Sequence, residues 1–506
     1  MLKGDIMIKN LIQKLNLIEQ DIIPYGDEIA KIKNINTDKK GKLILVTSIT
    51  PTPEGEGKTT LVIGINDALR KLGKDSIAVL REPSMGPTFG LKGGATGGGK
   101  ASILPSEDIN LSFTGDFNAI TNANNLICSL IDNHIYHGNY LNIDPNKIVF
   151  NRCLDLCDRS LRNVTINGIT QHFDITAASE IMGIMTLCQD ENDLKQRLNN
   201  IIIGYTYDNK PVYFKELNAA GAVYAILKRA MLPNLVRSLE NNPVLVHMGP
   251  FANVSIGCNS LISTKLAAKL CDYTIVEAGF GSDLGCEKFF DIKCRIGNLK
   301  PELVILNVTI RALKYHGNNS LIKGLDNLEK HIQNIGNFSN NILVVLNKFE
   351  DDKDEEINII KTFVNNHNIE FDICESYLKG SDGAISVALK VIALAKSNKI
   401  HYLYELEDDI QSKINKICTK IYHVDKIIYK KEVLDKIDEI KTLKLDHLPI
   451  CIAKSPLSLN GNKNKDLDFI EITDIKINNG AKYIVVYSGN ILTMPGLPEH
   501  PRACDF

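Results

Sequence analysis

The sequence predicts an α/β protein, a doubly wound and mainly parallel sheet carrying a P-loop, with additional smaller α/β domains. Three observations say so. Short apolar, β-branched runs recur at 42–46, 76–80, 244–247, 273–276, 303–307 and 342–347, separated by stretches of helical period, and such alternation wraps helices around a parallel sheet. The first run passes directly into a glycine-rich turn that ends in Gly57-Lys58-Thr59-Thr60. The pattern changes between 143 and 240, where Asp and Arg cluster, and again beyond 396, which marks further units.

In chain order, residues 1–40 alternate Ile and Leu with Lys, Asp and Asn, too polar for a signal peptide or a membrane span. We therefore expect a cytoplasmic protein with no membrane partner. After the strand at 42–46 comes Thr52-Pro53-Glu54-Gly55-Glu56-Gly57-Lys58-Thr59-Thr60. Gly55 and Gly57 let the backbone approach an anion, Lys58 adds a point charge, and Thr59 offers a hydroxyl to Mg²⁺ where a helix begins. The strict pattern is broken, because Thr52 stands where the first glycine belongs. The context supports a phosphate loop nonetheless: Leu61, Ile65, Ala68, Leu69 and Leu72 form an apolar helical stripe that stops at Gly73. Thr52, Gly55, Glu56, Gly57, Lys58, Thr59 and Thr60 are thus the candidate nucleotide-binding residues.

The second strand leads into Arg81-Glu82-Pro83-Ser84-Met85-Gly86-Pro87, followed by six glycines between Gly90 and Gly99. Ligands collect at the carboxyl ends of parallel strands, so Arg81 is placed to face the loop's phosphate, and its fork suits a carboxylate or a phosphate. The alternative for Arg81 is a structural ion pair with Glu82 or another acid. Thr59 and the strand-end carboxylate Glu82 are the candidate metal ligands, while the acidic runs 107–118 and 277–283 offer further cation sites. Asn347-Lys348 resembles half of a base-reading N-K-x-D motif, with Glu350 in place of the Asp, and makes Asn347 a nucleotide candidate. A region of helical period spans 177–187, strand-like residues lie at 201–205 and 483–487, and 396–445 is charged and helical.

Composition excludes some classes. Lys plus Arg is 58 against 60 for Asp plus Glu, a net charge of −2, so no nucleic-acid partner is implied. The 12 cysteines include no C-x-x-C pair, which argues for reduced, mostly buried thiols rather than a metal or disulfide framework.

Taken together, T-P-E-G-E-G-K-T-T, R-E-P-S-M-G-P, G-L-K-G-G-A-T-G-G-G, D-I-N-L-S-F-T-G-D-F, G-P-F-A-N-V-S-I-G-C-N-S, E-A-G-F-G-S-D-L-G, V-T-I-R-A-L-K-Y-H-G and M-P-G-L-P resemble the formate–tetrahydrofolate ligase family, in the family's order and from about residue 22 to 501. The resemblance implies an α/β subunit of a homotetramer that joins formate to tetrahydrofolate with ATP hydrolysis, through formyl phosphate. It implies that Lys58 and the loop hold the γ-phosphate, that Thr59 works with Mg²⁺, and that Arg81 clamps formate; Asp116 is retained as a catalytic candidate. A monovalent cation is an open addition to ATP and Mg²⁺. The pterin is expected between Phe349 and Tyr377, the latter replacing a tryptophan of the family pattern.

Three histidines of that pattern are replaced by Ser112, Asn118 and Ile256, and Lys100 stands for a tyrosine. These changes leave two alternatives to the ligase: an acyl-phosphate-forming ligase of altered specificity, and a catalytically idle ATP-binding scaffold. The expected division is 1–142 for the first part of the nucleotide-binding domain, 143–240 for an inserted α/β subdomain, 241–395 for the continuation with the folate-site residues, and 396–506 for a C-terminal α/β region.

Overall fold

The computed structural model describes residues 3–33, 35, 37, 39–166, 168–460 and 469–505. Residues 1, 2 and 506, at the outer ends of the first and last expected domains, lie outside the described residues. The fold is α/β, organised on one 12-stranded, mostly parallel sheet. Its strands are β1 (Ile22–Tyr25), β2 (Ile29–Ile32), β3 (Lys42–Ser48), β4 (Ser76–Leu80), β5 (Gly97–Gly98), β6 (Ala101–Leu104), β7 (Asn234–Ser238), β8 (Pro243–Val246), β9 (Tyr273–Glu277), β10 (Leu303–Val308), β11 (Ile342–Asn347) and β12 (Glu370–Cys374). They run in the order β1-β2-β7-β8-β4-β9-β3-β10-β11-β12, with β6 pairing β7 and β5.

From β8 to β12 every neighbouring pair is parallel, while β1, β2 and β7 close the other edge antiparallel. Parallel strands bury both faces, and that explains their unbroken apolar runs. On β3, Leu43 and Leu45 enter one apolar cluster while Ile44 and Val46 enter another. The helix Lys58–Lys71 covers the second face with Leu61, Ile65, Ala68 and Leu69. It ends at Leu72, and Gly73 follows at φ +72°, a left-handed residue that suits glycine. The helix Asp116–Tyr136 covers the first face through Phe117, Ile120, Ile127 and Ile131.

The stretch 143–240 builds a small three-stranded sheet from Ile143–Ile148, Ile202–Thr206 and Pro211–Tyr213, yet its last strand, β7, belongs to the main sheet. The helix expected from 177 begins at Glu180, because the Ser179 hydroxyl accepts from the Met182 N–H and caps it there. Beyond 396, helices Ile410–Ile421 and Lys431–Thr442 pack with a separate four-stranded sheet. That sheet is tied to the main one by Lys454, which follows Ile450–Ala453 and meets Asp283 at 2.5 Å with both side chains fully buried. Among the described residues no helix is long and apolar enough to cross a membrane.

Candidate active site

The strands β3, β4, β9, β10, β11 and β12 end side by side, and the turns that follow them form the site. After β3, the Thr52 N–H and hydroxyl both donate to Glu56 Oε1, at 2.7 and 2.8 Å. Glu56 thus braces the turn across the position where a glycine is missing, which is how Thr52 is accommodated. The other Glu56 oxygen accepts from the Thr309 hydroxyl, and its backbone carbonyl accepts from Asn307 Nδ2 at 2.8 Å and Asn347 Nδ2 at 3.1 Å. Gly55 and Gly57 sit at φ +85° and +65°, and a Cβ on Gly57 would stand 2.5 Å from Asn347 Nδ2. Asn347, expected to read a base, is a buried strut beneath the loop.

The sheet end above this loop is crowded with cations. Arg81 leaves β4 and places Nε 3.6 Å from Glu277 Oε1, at the end of β9; its Nη1 donates to the Pro250 carbonyl at 3.4 Å. Among the described residues the buried Nε has no hydrogen-bond partner. The Thr59 hydroxyl donates to Glu277 Oε2 at 2.8 Å. Burial lowers the Lys58 ammonium to about 8, with Glu277 opposing the shift and Arg81 adding to it. Lys92, over the Phe280 ring at 5.3 Å, faces the same carboxylate. Arg81 pairs with Glu277 while Lys58 and Lys92 add positive charge nearby, an excess that suits a polyanion.

Two expected residues lie elsewhere. Asp116, the first residue of its helix, accepts from Lys31 Nζ at 2.8 and 2.9 Å and from Asn234 Nδ2 at 2.9 Å, all of it buried. Burial, then the neighbouring Asp116 charge, pushes the Glu82 carboxyl well above its ordinary range, so it favours its neutral form. Glu82 stands with Asp116 and Lys31, and the carboxylate that reaches Thr59 is Glu277. The ion pair weighed for Arg81 is present, with Glu277 and not Glu82 as its acid. The acidic run after 276 signalled Glu277, which the candidate set omitted.

Phe349 and Tyr377 follow the neighbouring strands β11 and β12. The half-buried Phe349 ring lies 5.0 Å from the Arg311 guanidinium. Tyr377, 53% exposed, sits on the glycine loop: its carbonyl accepts from the Lys100 N–H at 2.9 Å, and a Cβ on Gly98 would stand 3.0 Å from its ring. Thr60 is buried below this contact. Of the replaced histidine positions, Ser112 and Asn118 are exposed and Ile256 is in the apolar core.

One histidine that no sequence signal marked holds the loop from behind. His331 Nε2 accepts the Thr50 N–H at 2.7 Å, so Nδ1 carries the proton toward the Ser282 hydroxyl at 2.7 Å. Burial lowers it to about 4, consistent with a neutral ring. The cysteines are free, and all but Cys157 and Cys504 are buried.

The fold is α/β, and the carboxyl ends of its parallel strands gather cations beside a glycine-rich turn. A more specific assignment comes from comparison with known proteins. The family model described as formate–tetrahydrofolate ligase matches residues 4–506, and the chain belongs to that family. Among solved structures it is similar to the MinC:MinD cell division protein complex of Aquifex aeolicus, at 12% identity and a TM-score of 0.26 over 72% of this chain and 100% of that one. It is also similar to the folylpolyglutamate synthetase of Helicobacter pylori, at 9% identity and a TM-score of 0.21 over 78% of this chain and 69% of that one. Both scores are too low for a shared fold to be read from them.

Proposed function

We propose that the enzyme phosphorylates formate with ATP and passes the formyl group from formyl phosphate to tetrahydrofolate, giving 10-formyltetrahydrofolate, ADP and phosphate. The observation that carries this reading is Glu277, which pairs with Arg81 and accepts from Thr59, the residue after Lys58 in the glycine-rich turn. A formate oxygen attacks the γ-phosphorus and ADP leaves. The folate amine then attacks the formyl carbon, phosphate departs, and the amine loses its proton.

Lys58 and the N–H groups of the turn hold the transferring phosphoryl group, and Arg81, whose Nε makes no hydrogen bond among the described residues, clamps formate and then the mixed anhydride. Holding two small anions together against their repulsion is the main task, and such positioning supplies roughly 7–11 kcal/mol of a barrier. The Thr59 hydroxyl and Glu277, already paired at 2.8 Å, form a hard-oxygen donor set that fits Mg²⁺, which would neutralise phosphate charge there. Asp116 is a positioning group in this reading, since both its oxygens are engaged. Phe349 and Tyr377 flank the pterin, and tyrosine keeps stacking with less area.

Residues 1–142 and 241–395 are taken as one nucleotide-binding unit interrupted by 143–240, with 396–506 as the C-terminal region. The doubly wound P-loop arrangement, a cytoplasmic location and a homotetramer belong to the same proposal.

The test is incubation with ATP, Mg²⁺, formate and tetrahydrofolate, omitting each in turn, with product read as its acid-generated methenyl form. Product that requires all four components is expected. Nucleotide binding without product would favour the idle scaffold, and phosphate release without folate product an altered acceptor.

A further inference from the structure

Arg311 touches both halves of the site. It enters the helix Ile310–His316 directly after β10, and its Nη2 donates to the carbonyl of Gly55 inside the P-loop. The same guanidinium lies 3.7 Å from Glu56 Oε2, the carboxylate that braces the loop. Its carbon stands 5.0 Å from the centre of the Phe349 ring. A guanidinium is planar, with donors in its plane and a face that stacks on aromatics, so one orientation serves the carbonyl, the carboxylate and the ring together.

Gly55 is the residue where that matters. It sits at φ +85°, a Cβ placed on it would meet nothing within 4 Å, and its N–H donates to the Thr52 carbonyl at 3.1 Å, which leaves its own carbonyl to Arg311. Its carbonyl is held by an arginine whose side chain is 42% exposed.

We propose that Arg311 is a positioning residue that couples the pterin site to the P-loop, so that a ring stacked at Phe349 tightens nucleotide binding. The proposal rests on the reading of Phe349 as a pterin contact. An exposed cation–π contact is worth a factor of about 2 to 5, which sets the size of the coupling. Linkage makes the effect reciprocal: nucleotide tightens folate by the same factor.

The test is calorimetric titration of ADP in Mg²⁺ with and without saturating tetrahydrofolate, and of tetrahydrofolate with and without ADP, in the wild type, Arg311→Lys, Arg311→Ala and Phe349→Leu. The wild type should show an affinity ratio of roughly 2 to 5, equal in both directions. Both arginine variants should bring that ratio to 1, including Arg311→Lys, which keeps the charge near Glu56 but lacks the fork and the plane. A purely structural role would shift both affinities and leave the ratio unchanged. A wild-type ratio of 1, or a ratio kept in Arg311→Ala, overturns the coupling. Unchanged folate affinity in Phe349→Leu overturns the pterin assignment instead, and thermal melts confirm that each variant is folded.

Discussion

At the scale of single residues, Lys58 is the most exacting group in the site. Its lowered pKa means that the fold disfavours its charge, through burial first and through Arg81 after it. An anion restores what burial removes. Lys58→Ala should therefore lower turnover by about a hundredfold or more, with tetrahydrofolate affinity nearly unchanged and a melting temperature no lower than wild type. Steady-state rates, folate titration and a thermal melt check the three parts. The same shift sets a pH dependence. Below about 8 the free enzyme carries the charge, and above it the charge is lost, so ATP affinity should fall as pH rises past about 8. Bound nucleotide raises the Lys58 pKa, so titration across pH 7–10 should show proton uptake on binding above 8. Stability runs the other way: the unfolded lysine binds the proton more tightly, so this group's contribution to stability grows from pH 8 to 10.

The placement of Lys58 and Arg81 at strand ends was legible because each belongs to the segment that follows an apolar β-branched run. Glu82 and Glu277 were not separable by sequence. Each follows a strand, and only the neighbour order, β4-β9-β3, tells which carboxylate stands beside Thr59.

Among elements, the glycine-rich turn 52–57 is held from below by side chains of other strands: Asn307 from β10, Asn347 from β11 and Thr309 just beyond β10. Gly57→Ala meets two obstacles there, a left-handed backbone and an amide nitrogen 2.5 Å from the new Cβ. Local strain of about 1–3 kcal/mol follows. Nucleotide affinity should fall in calorimetry while the melting temperature changes by only a few degrees, since the loop is one turn of a large sheet. The apolar strands β3, β4, β9, β10 and β11 were readable because burial on both faces leaves nothing polar in them. The antiparallel edge escaped for the opposite reason. β1 alternates in burial and carries Pro24, and β2 hides Lys31 in a run that looks half polar. Glu370 and Asp372 likewise disguised β12, an edge strand with one partner.

Across the whole molecule, the C-terminal sheet and the catalytic sheet meet through a buried charge. Lys454 also donates to the carbonyls of Ser455 and Ser458, at 3.2 and 2.8 Å, so its ammonium is saturated. Replacing it with Met would leave Asp283 charged and unpaired in the interior, a loss of about 3–5 kcal/mol. Lys454→Met should therefore melt well below wild type. The double variant Lys454→Met/Asp283→Asn should recover part of the loss in the same thermal scan, because the orphaned charge is then gone. Sequence could not have joined these two residues. Each is an ordinary charged residue after a strand, and their pairing exists only once two sheets are docked.

The glycine loop gauges residue 377 by both backbone and ring: Lys100 bonds to the Tyr377 carbonyl, a Cβ on Gly99 would stand 2.2 Å from that oxygen, and a Cβ on Gly98 would stand 3.0 Å from the ring. Bare glycines at 98 and 99 are thus the seat on which the aromatic rests, and a side chain added to either would push it off.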